Sequence, residues 1–202
     1  MDRIRGIAIP FGRANVDTDL IIPSQYMKTV GREGLGKGAF APLRGEPGNM
    51  FAEPRHADAP ILIAGANFGC GSSREHAVWA LIDMGLKAVI APSFGEIFEN
   101  NALRNGLLAA RVAEPEVGTL MAEARDGEVE IDVEAGIVTS PGGARFRFAL
   151  DPFRRRCLIE GLDELALTES HAPAIAAFEE RQAKDRPWLA ALAAGREEEV
   201  AE

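Results

Sequence analysis

Short apolar runs separated by turn residues give the first picture of this chain. The run Ile61-Leu62-Ile63-Ala64 predicts a buried strand, and the apolar positions that follow predict a helix over Arg74–Met84. A second strand is predicted over Lys87–Ala91 and a second helix over Phe94–Arg104, and Leu107-Leu108-Ala109 begins another short strand. Because strands alternate with helices, this part of the chain predicts an α/β unit with parallel strands.

The two ends of the chain predict further strands and helices. A first strand is predicted over Ile4–Phe11. Three alternating or β-branched runs, separated by glycine-containing turns, predict an antiparallel meander over Glu128–Val133, Ile137–Thr139 and Arg145–Phe148. The remaining helices are predicted over Pro115–Ala124, Asp151–Glu160 and Ala172–Lys184. We therefore expect one α/β domain over residues 1–190, with a mixed sheet and flanking helices, and an Ala/Glu-rich tail over 191–202.

Residues 31–60 differ from the rest of the chain because they hold six glycines and four prolines. So many breakers exclude a long regular element and predict a mobile surface loop, in which His56 is solvated. A loop of this length in a compact domain is usually functional, so we expect it to serve the substrate.

The net charge and the apolar runs of the chain limit the kinds of partner that it can bind. The net charge of −9, from 22 basic and 31 acidic residues, disfavours nucleic acid as a partner. No apolar run approaches the roughly 20 residues that span a bilayer, and the N-terminus has no secretory apolar region. We expect a cytoplasmic protein that binds neither nucleic acid nor membrane.

The metal-binding residue types are scarce. There are two cysteines, Cys70 and Cys157, whereas a cubane iron–sulfur cluster needs three or four thiolates. The histidines His56, His76 and His171 lack metal-ligand spacing. We therefore expect no metal or cofactor to be bound by this chain alone.

The turn between the strand at Ile61 and the following helix carries the candidate chemistry. It contains three glycines, two serines and an arginine: Gly65, Gly69, Gly71, Ser72, Ser73 and Arg74. Helix starts offer unpaired N–H groups, and a guanidinium fits a carboxylate or phosphate, so the turn predicts an anion site. The alternative is that the serines only cap the helix. No glycine stands two residues after Ser72, which disfavours a hydrolase nucleophile elbow.

This turn closely resembles the signature of the aconitase swivel domain, and three other segments match the same family in order. They are Asn15–Pro23, Ser93–Asn101 with Asn105–Leu108, and Asp151–Glu164, the last similar to the 3-isopropylmalate dehydratase small-subunit branch. The resemblance runs from about Ile4 to Trp188. It implies the swivel-type β/β/α fold.

The resemblance also implies roles for individual residues. Ser72 would be the base that moves a proton on the carbon next to a carboxylate, while Ser73 and Arg74 hold that carboxylate. Met27 and Val30 would contact the variable arm of the substrate, whereas Lys28 and Arg32 could reach an anion. Supporting residues of the site would be Asp17, Thr18, Asp19, Gly69, Gly71 and His76. The competing interpretation of the three residues from Asp17 to Asp19 is a turn and helix cap. Cys70 is expected to be a packed thiol rather than a nucleophile.

The implied reaction is the dehydration of 2-isopropylmalate to 2-isopropylmaleate and its rehydration to 3-isopropylmalate, a step of leucine biosynthesis. The resemblance implies a [4Fe-4S] cluster on a separate large subunit, so the active enzyme would be a heteromer that binds a dicarboxylate. Homoaconitase and citraconate or dimethylmalate hydratases have similar small subunits. A non-catalytic dicarboxylate-binding module is the alternative from another class.

Overall fold

The structure, a computed structural model, describes residues 1–27, 31–72, 74–162 and 164–188. The chain divides into two units, Met1–Leu162 and Asp163–Glu202, and each is described by itself. The single domain over residues 1–190 stays a prediction. The predicted tail, residues 191–202, lies outside the described residues.

A mixed sheet of seven strands forms the centre of the first unit. The strands are β1 (Arg3–Pro10), β2 (Ile61–Ile63), β3 (Ala88–Ala91), β4 (Leu108–Arg111), β5 (Glu128–Asp132), β6 (Ile137–Thr139) and β7 (Arg145–Arg147). They lie in the order β4-β3-β2-β1-β5-β6-β7. Strands β1 to β4 pair in parallel, and β5 to β7 continue from β1 in antiparallel pairs. The parallel unit and the antiparallel meander are both confirmed, and β1 joins them.

The described helices of the first unit begin and end within two residues of the predicted bounds where a helix was predicted. They are α1 (Thr18–Ile21), α2 (Ala41–Arg44), α3 (Glu75–Asp83), α4 (Glu96–Arg104), α5 (Glu114–Glu123) and α6 (Pro152–Glu160). The start of α6 is set by the Asp151 carboxylate, which accepts the N–H groups of Phe153 and Arg154 at 3.0 and 3.1 Å. Across the described residues, we find no helix with the length and apolar character needed to span a bilayer.

Apolar side chains cover both faces of the parallel strands. On one face, Ile9, Leu62 and Val89 are neighbours on adjacent strands and pack in one cluster with Ala77 and Leu81 of α3. The opposite face forms a second cluster that includes the alternate strand residues and side chains of α5 and α6. Strands buried on both faces show continuous apolar runs instead of alternation, as this sequence does.

Segment 31–60 corrects one prediction. Its regular elements are short, so the exclusion of a long element is confirmed; besides α2 they are the 3-10 turns Leu35–Gly38, Met50–Ala52 and Pro54–His56. A surface loop throughout is wrong, because Leu35 and Phe40 are buried and the Phe40 ring stacks on Phe51 at 4.3 Å. His56, predicted to be solvated, is also buried, and its Nδ1 lies 2.8 Å from the Met50 carbonyl oxygen. The mobility of this segment stays a prediction.

The second unit contains two helices in its described part, α7 (Glu164–Glu169) and α8 (Ala172–Asp185). The prediction of α8 is confirmed to within one residue, whereas α7 was not predicted. Proline in the first turn of α8 suits a position whose N–H has no helical partner.

Candidate active site

The turn that carries Ser72 lies at the carboxyl ends of the parallel strands. It leaves β2 at Ile63 and enters α3 at Glu75. The segments that follow β1 and β3 run beside it, since Asp17 pairs with Cys70 and Phe68 pairs with Phe94 in isolated parallel bridges. Ligands of open α/β sheets bind at this edge, so the predicted anion site lies where the fold favours one.

Segment 15–19 forms one wall of the turn. The Gly69 N–H donates to the Val16 carbonyl oxygen at 2.7 Å, and the Thr18 N–H donates to the Cys70 carbonyl oxygen at 3.1 Å. The buried Thr18 hydroxyl donates to the Ser72 carbonyl oxygen at 3.1 Å. The backbone from Gly69 to Ser72 is therefore attached to the chain that follows β1.

Asp17 and Asp19 have different tasks in this wall. The Asp17 carboxylate accepts the Leu20 N–H at 2.7 Å and so caps α1, as the turn-and-cap interpretation predicts. The Asp19 carboxylate instead forms an ion pair with the Arg74 guanidinium. The residues from Asp17 to Asp19 thus both cap α1 and line the turn that carries Ser72.

Two glycines shape the turn, for different reasons. Gly69 has a φ of +73°, and a Cβ atom there would overlap the Phe98 ring. Gly71 has a φ of +88°, but the heavy atom nearest to such a Cβ is Asp17 Cβ, at 3.5 Å. Gly69 is therefore required by packing and by conformation, whereas Gly71 is required by conformation alone.

Ser72 and Arg74 lie at the start of α3. Ser72 is exposed, and it does not cap α3, because the cap position belongs to Arg74. The alternative in which Ser72 only caps the helix is therefore wrong. Arg74 makes no side-chain bond to the first turn of α3, so the positive end of that helix faces the site without a side-chain cap from its N-cap residue.

The Arg74 side chain is 23% exposed, and its Nη1 donates to the Asp19 carboxylate. A guanidinium has five N–H groups in a planar fork, so this bond leaves other donors for a ligand. The electrostatic character of the site is thus an oriented cation beside a helix start. This ion pair was not predicted, because it joins residues that are 55 positions apart.

His76 and Trp79 lie on α3, and Cys70 lies in the turn that precedes it. The half-buried His76 ring lies 4.8 Å from the Trp79 ring, centroid to centroid. Trp79 is half-buried, and its Nε1 donates to Asn105 Oδ1 at 2.9 Å. Cys70 is half-buried and unpaired.

Of the residues predicted to contact the variable arm of the substrate, the structure describes Met27 but not Lys28 or Val30. Met27 follows a short 3-10 turn and packs, half-buried, against the core. Ser73, Lys28 and Val30 lie outside the described residues. All of these binding roles stay predictions.

One pair in the site was missed. Asn67 Nδ2 donates to Asn15 Oδ1 at 2.9 Å, and the two residues have φ values of +61° and +53°. Asparagine tolerates this left-handed conformation better than most residues, so the two asparagines in turn segments were the available sign.

Two family models match this chain. Residues 1–115 match the aconitase C-terminal domain, and residues 166–191 match the C-terminal domain of the 3-isopropylmalate dehydratase small subunit. The first match covers the whole Ser72 turn and its neighbouring segments.

Individual relatives agree with these models. The 3-isopropylmalate dehydratase small subunit of Novosphingobium aromaticivorans is 55% identical over 188 residues, which is 93% of each chain. The same subunit of Erythrobacter litoralis is 52% identical over 94% of each chain. The crystal structure of a 3-isopropylmalate dehydratase from Methanocaldococcus jannaschii has a TM-score of 0.70 at 29% identity, and covers 87% of this chain and 98% of its own. The predicted swivel-type fold and the predicted resemblance are confirmed. The chain belongs to the family of 3-isopropylmalate dehydratase small subunits.

Proposed function

We propose that this chain is the small subunit of a two-subunit hydro-lyase that converts 2-isopropylmalate to 3-isopropylmalate by dehydration and rehydration, in leucine biosynthesis. One observation carries the proposal. An exposed serine, Ser72, stands beside an oriented arginine, Arg74, at the start of a helix, in a chain 55% identical to a 3-isopropylmalate dehydratase small subunit.

Arg74 binds a carboxylate of the substrate. The ion pair with Asp19 fixes the direction of the guanidinium and uses Nη1, so the other edge of the fork remains for a bidentate contact. Ser73, the next residue towards Ser72, adds its hydroxyl to the same carboxylate.

Ser72 takes the proton from the carbon next to that carboxylate and returns one during rehydration. A serine hydroxyl is a very poor base in water, so its alkoxide needs stabilisation. The N–H groups at the start of α3 and the Arg74 guanidinium supply it once water is excluded. Because Ser72 is exposed in this chain, the water-excluding cover has to come from a partner.

The partner is a large subunit that carries a [4Fe-4S] cluster. The two cysteines of this chain, Cys70 and Cys157, are too few for such a cluster, so its residues do not fit the group. On that subunit the cluster would supply a Lewis acid for the departing hydroxyl. We place this heteromer in the cytoplasm.

The substrate's variable arm is branched and apolar in this proposal. Met27 is half-buried on the core and follows α1, the helix that carries Asp19. Val30 adds a second apolar contact, and Lys28 lies beside them in the sequence.

The experiment mixes this chain with a cluster-loaded large subunit under anaerobic conditions and supplies 2-isopropylmalate. We expect 3-isopropylmalate to form in the mixture and not with either subunit alone. Turnover of citraconate or homoaconitate instead would keep the hydro-lyase and change the substrate. If an assembled complex turned over none of the three substrates, the result would favour a dicarboxylate-binding module.

A further inference from the structure

Helix α3 carries a cation-binding ring one turn after His76. The Arg32 guanidinium carbon lies 4.9 Å from the centroid of the Trp79 ring and above it. This distance is within the range of about 6 Å in which the face of an indole attracts a guanidinium. Arg32 is exposed and half-buried Trp79 is its stacking partner, so the pair lies at the surface of α3.

The Trp79 ring is itself held in place. Its Nε1 donates to Asn105 Oδ1 at 2.9 Å, and Asn105 Nδ2 donates to Glu75 Oε1 at 2.7 Å and to the Asn101 carbonyl oxygen at 2.9 Å. Glu75 is the first residue of α3 and follows Arg74 directly. The ring on which Arg32 stacks is thus attached to the turn of helix that carries the carboxylate-binding arginine.

The chain after Arg32 follows the same helix. The Gly36 N–H donates to Asp83 Oδ2 at 2.7 Å, and a Cβ atom at Gly36 would come within 2.8 Å of the Asp83 backbone. Leu35 is 2% exposed, and Arg44 Nη2 donates to the Gly36 carbonyl oxygen at 2.9 Å. The contacts at Trp79 and Asp83 together fix this stretch along α3.

We infer that Arg32 and Trp79 are positioning residues for recognition of the substrate's variable arm, an inference that rests on the proposed function. Met27 packs on the core, and the Arg32–Trp79 stack sets where the chain meets α3 five positions later. The stack engages the face of the guanidinium, and the task that we assign to Arg32 is to hold the chain on α3 rather than to bind the substrate. Arg32 therefore acts through the chain that it anchors and touches no substrate.

The contact is tested without activity. The chain has two tryptophans, so Trp188→Phe leaves Trp79 as the only indole. In that background, Arg32→Ala should change the fluorescence of Trp79. Lys37→Ala, which removes an exposed cation from the same stretch, should leave it unchanged. An unchanged spectrum in Arg32→Ala would overturn the inference.

The role is tested in the reconstituted heteromer. Arg32→Ala should raise the KM for 2-isopropylmalate roughly tenfold and leave kcat within about twofold, because uniform binding is lost and the proton transfer is not. The KM of Arg32→Lys should lie between those of wild type and Arg32→Ala, since a lysine keeps the charge above the ring but not the planar stack. For 2-methylmalate, whose arm is a single methyl group, the KM should change much less.

Two results would contradict this role. An equal rise in KM for both substrates would mean that Arg32 binds the carboxylates that they share. A large fall in kcat would place Arg32 in the catalytic machinery. No turnover of either substrate by the wild-type heteromer would overturn the proposed function and, with it, this role, whereas the fluorescence result is independent of activity.

Discussion

Replacing Gly69 with alanine is expected to destabilise the first unit by combining two costs at one position. The φ of +73° is a left-handed conformation, and the added Cβ atom would overlap the Phe98 ring. Phe98 is only 3% exposed, and its ring packs edge-on against Phe68 with centroids 5.3 Å apart. The ring therefore cannot move away without disturbing its neighbours.

The conformational cost and the packing cost can each be given a magnitude. A left-handed residue other than glycine costs about 1–2 kcal/mol. Overpacking in a closed core costs about 1–3 kcal/mol more. We expect Gly69→Ala to lower the free energy of unfolding by about 2–5 kcal/mol, from both terms together. Gly71 has a φ of +88°, but a Cβ atom there would make only ordinary van der Waals contacts, so Gly71→Ala should lose only the conformational cost.

Urea unfolding of the isolated chain, followed by circular dichroism, measures both variants against the wild type. The difference between the two alanine variants is the packing cost at Phe98. If Gly69→Ala and Gly71→Ala lost equal stability, the Phe98 ring would not close over Gly69 and the packing argument would be refuted.

Three further outcomes are expected. Asp19→Asn should lower kcat/KM about tenfold, mainly through KM, because a neutral amide no longer orients Arg74; an unchanged KM would contradict that. His56→Ala should cost about 2 kcal/mol in urea unfolding, and a loss below about 0.5 kcal/mol would mean that the imidazole is solvated. The Ser140 hydroxyl and a backbone N–H hold the pKa of Glu123 below its usual 4.5. These hydrogen bonds to the Glu123 carboxylate therefore stabilise the folded chain above that pH, and the stabilisation is lost as the pH falls through the lowered pKa. The stability difference between wild type and Glu123→Gln should therefore shrink as the pH falls from 7 to about 3, and a constant difference would contradict the lowered pKa.

The sequence predicted the sheet well because the evidence for it is local. Apolar runs such as Ile61–Ile63 and the glycine turns between β5, β6 and β7 each mark an element within a few residues. Segment 31–60 was misjudged because its glycines and prolines conceal single apolar residues. Phe40 is buried by contacts with Phe11 and Phe51, which no local pattern reveals.

The site was predicted as a set of residues but not as an arrangement. Glycine, serine and arginine in a strand-to-helix turn indicated an anion site from the turn alone. The ion pair of Asp19 with Arg74 and the bond of Asn15 with Asn67 depend on β1 and β2 being neighbours. Strand order is a property of the whole fold, so these partners could not be assigned from the turn.

The most direct test of the central claim is turnover of 2-isopropylmalate by the heteromer that contains Ser72→Ala. Association of this variant with the large subunit should equal that of wild type, and Ser170→Ala, an exposed serine on the second unit, is the matched control. We expect Ser72→Ala to lower kcat at least about 1,000-fold, since the base is removed from an otherwise intact site. Activity within a few fold of wild type in the assembled complex would contradict the assignment of Ser72 as the base.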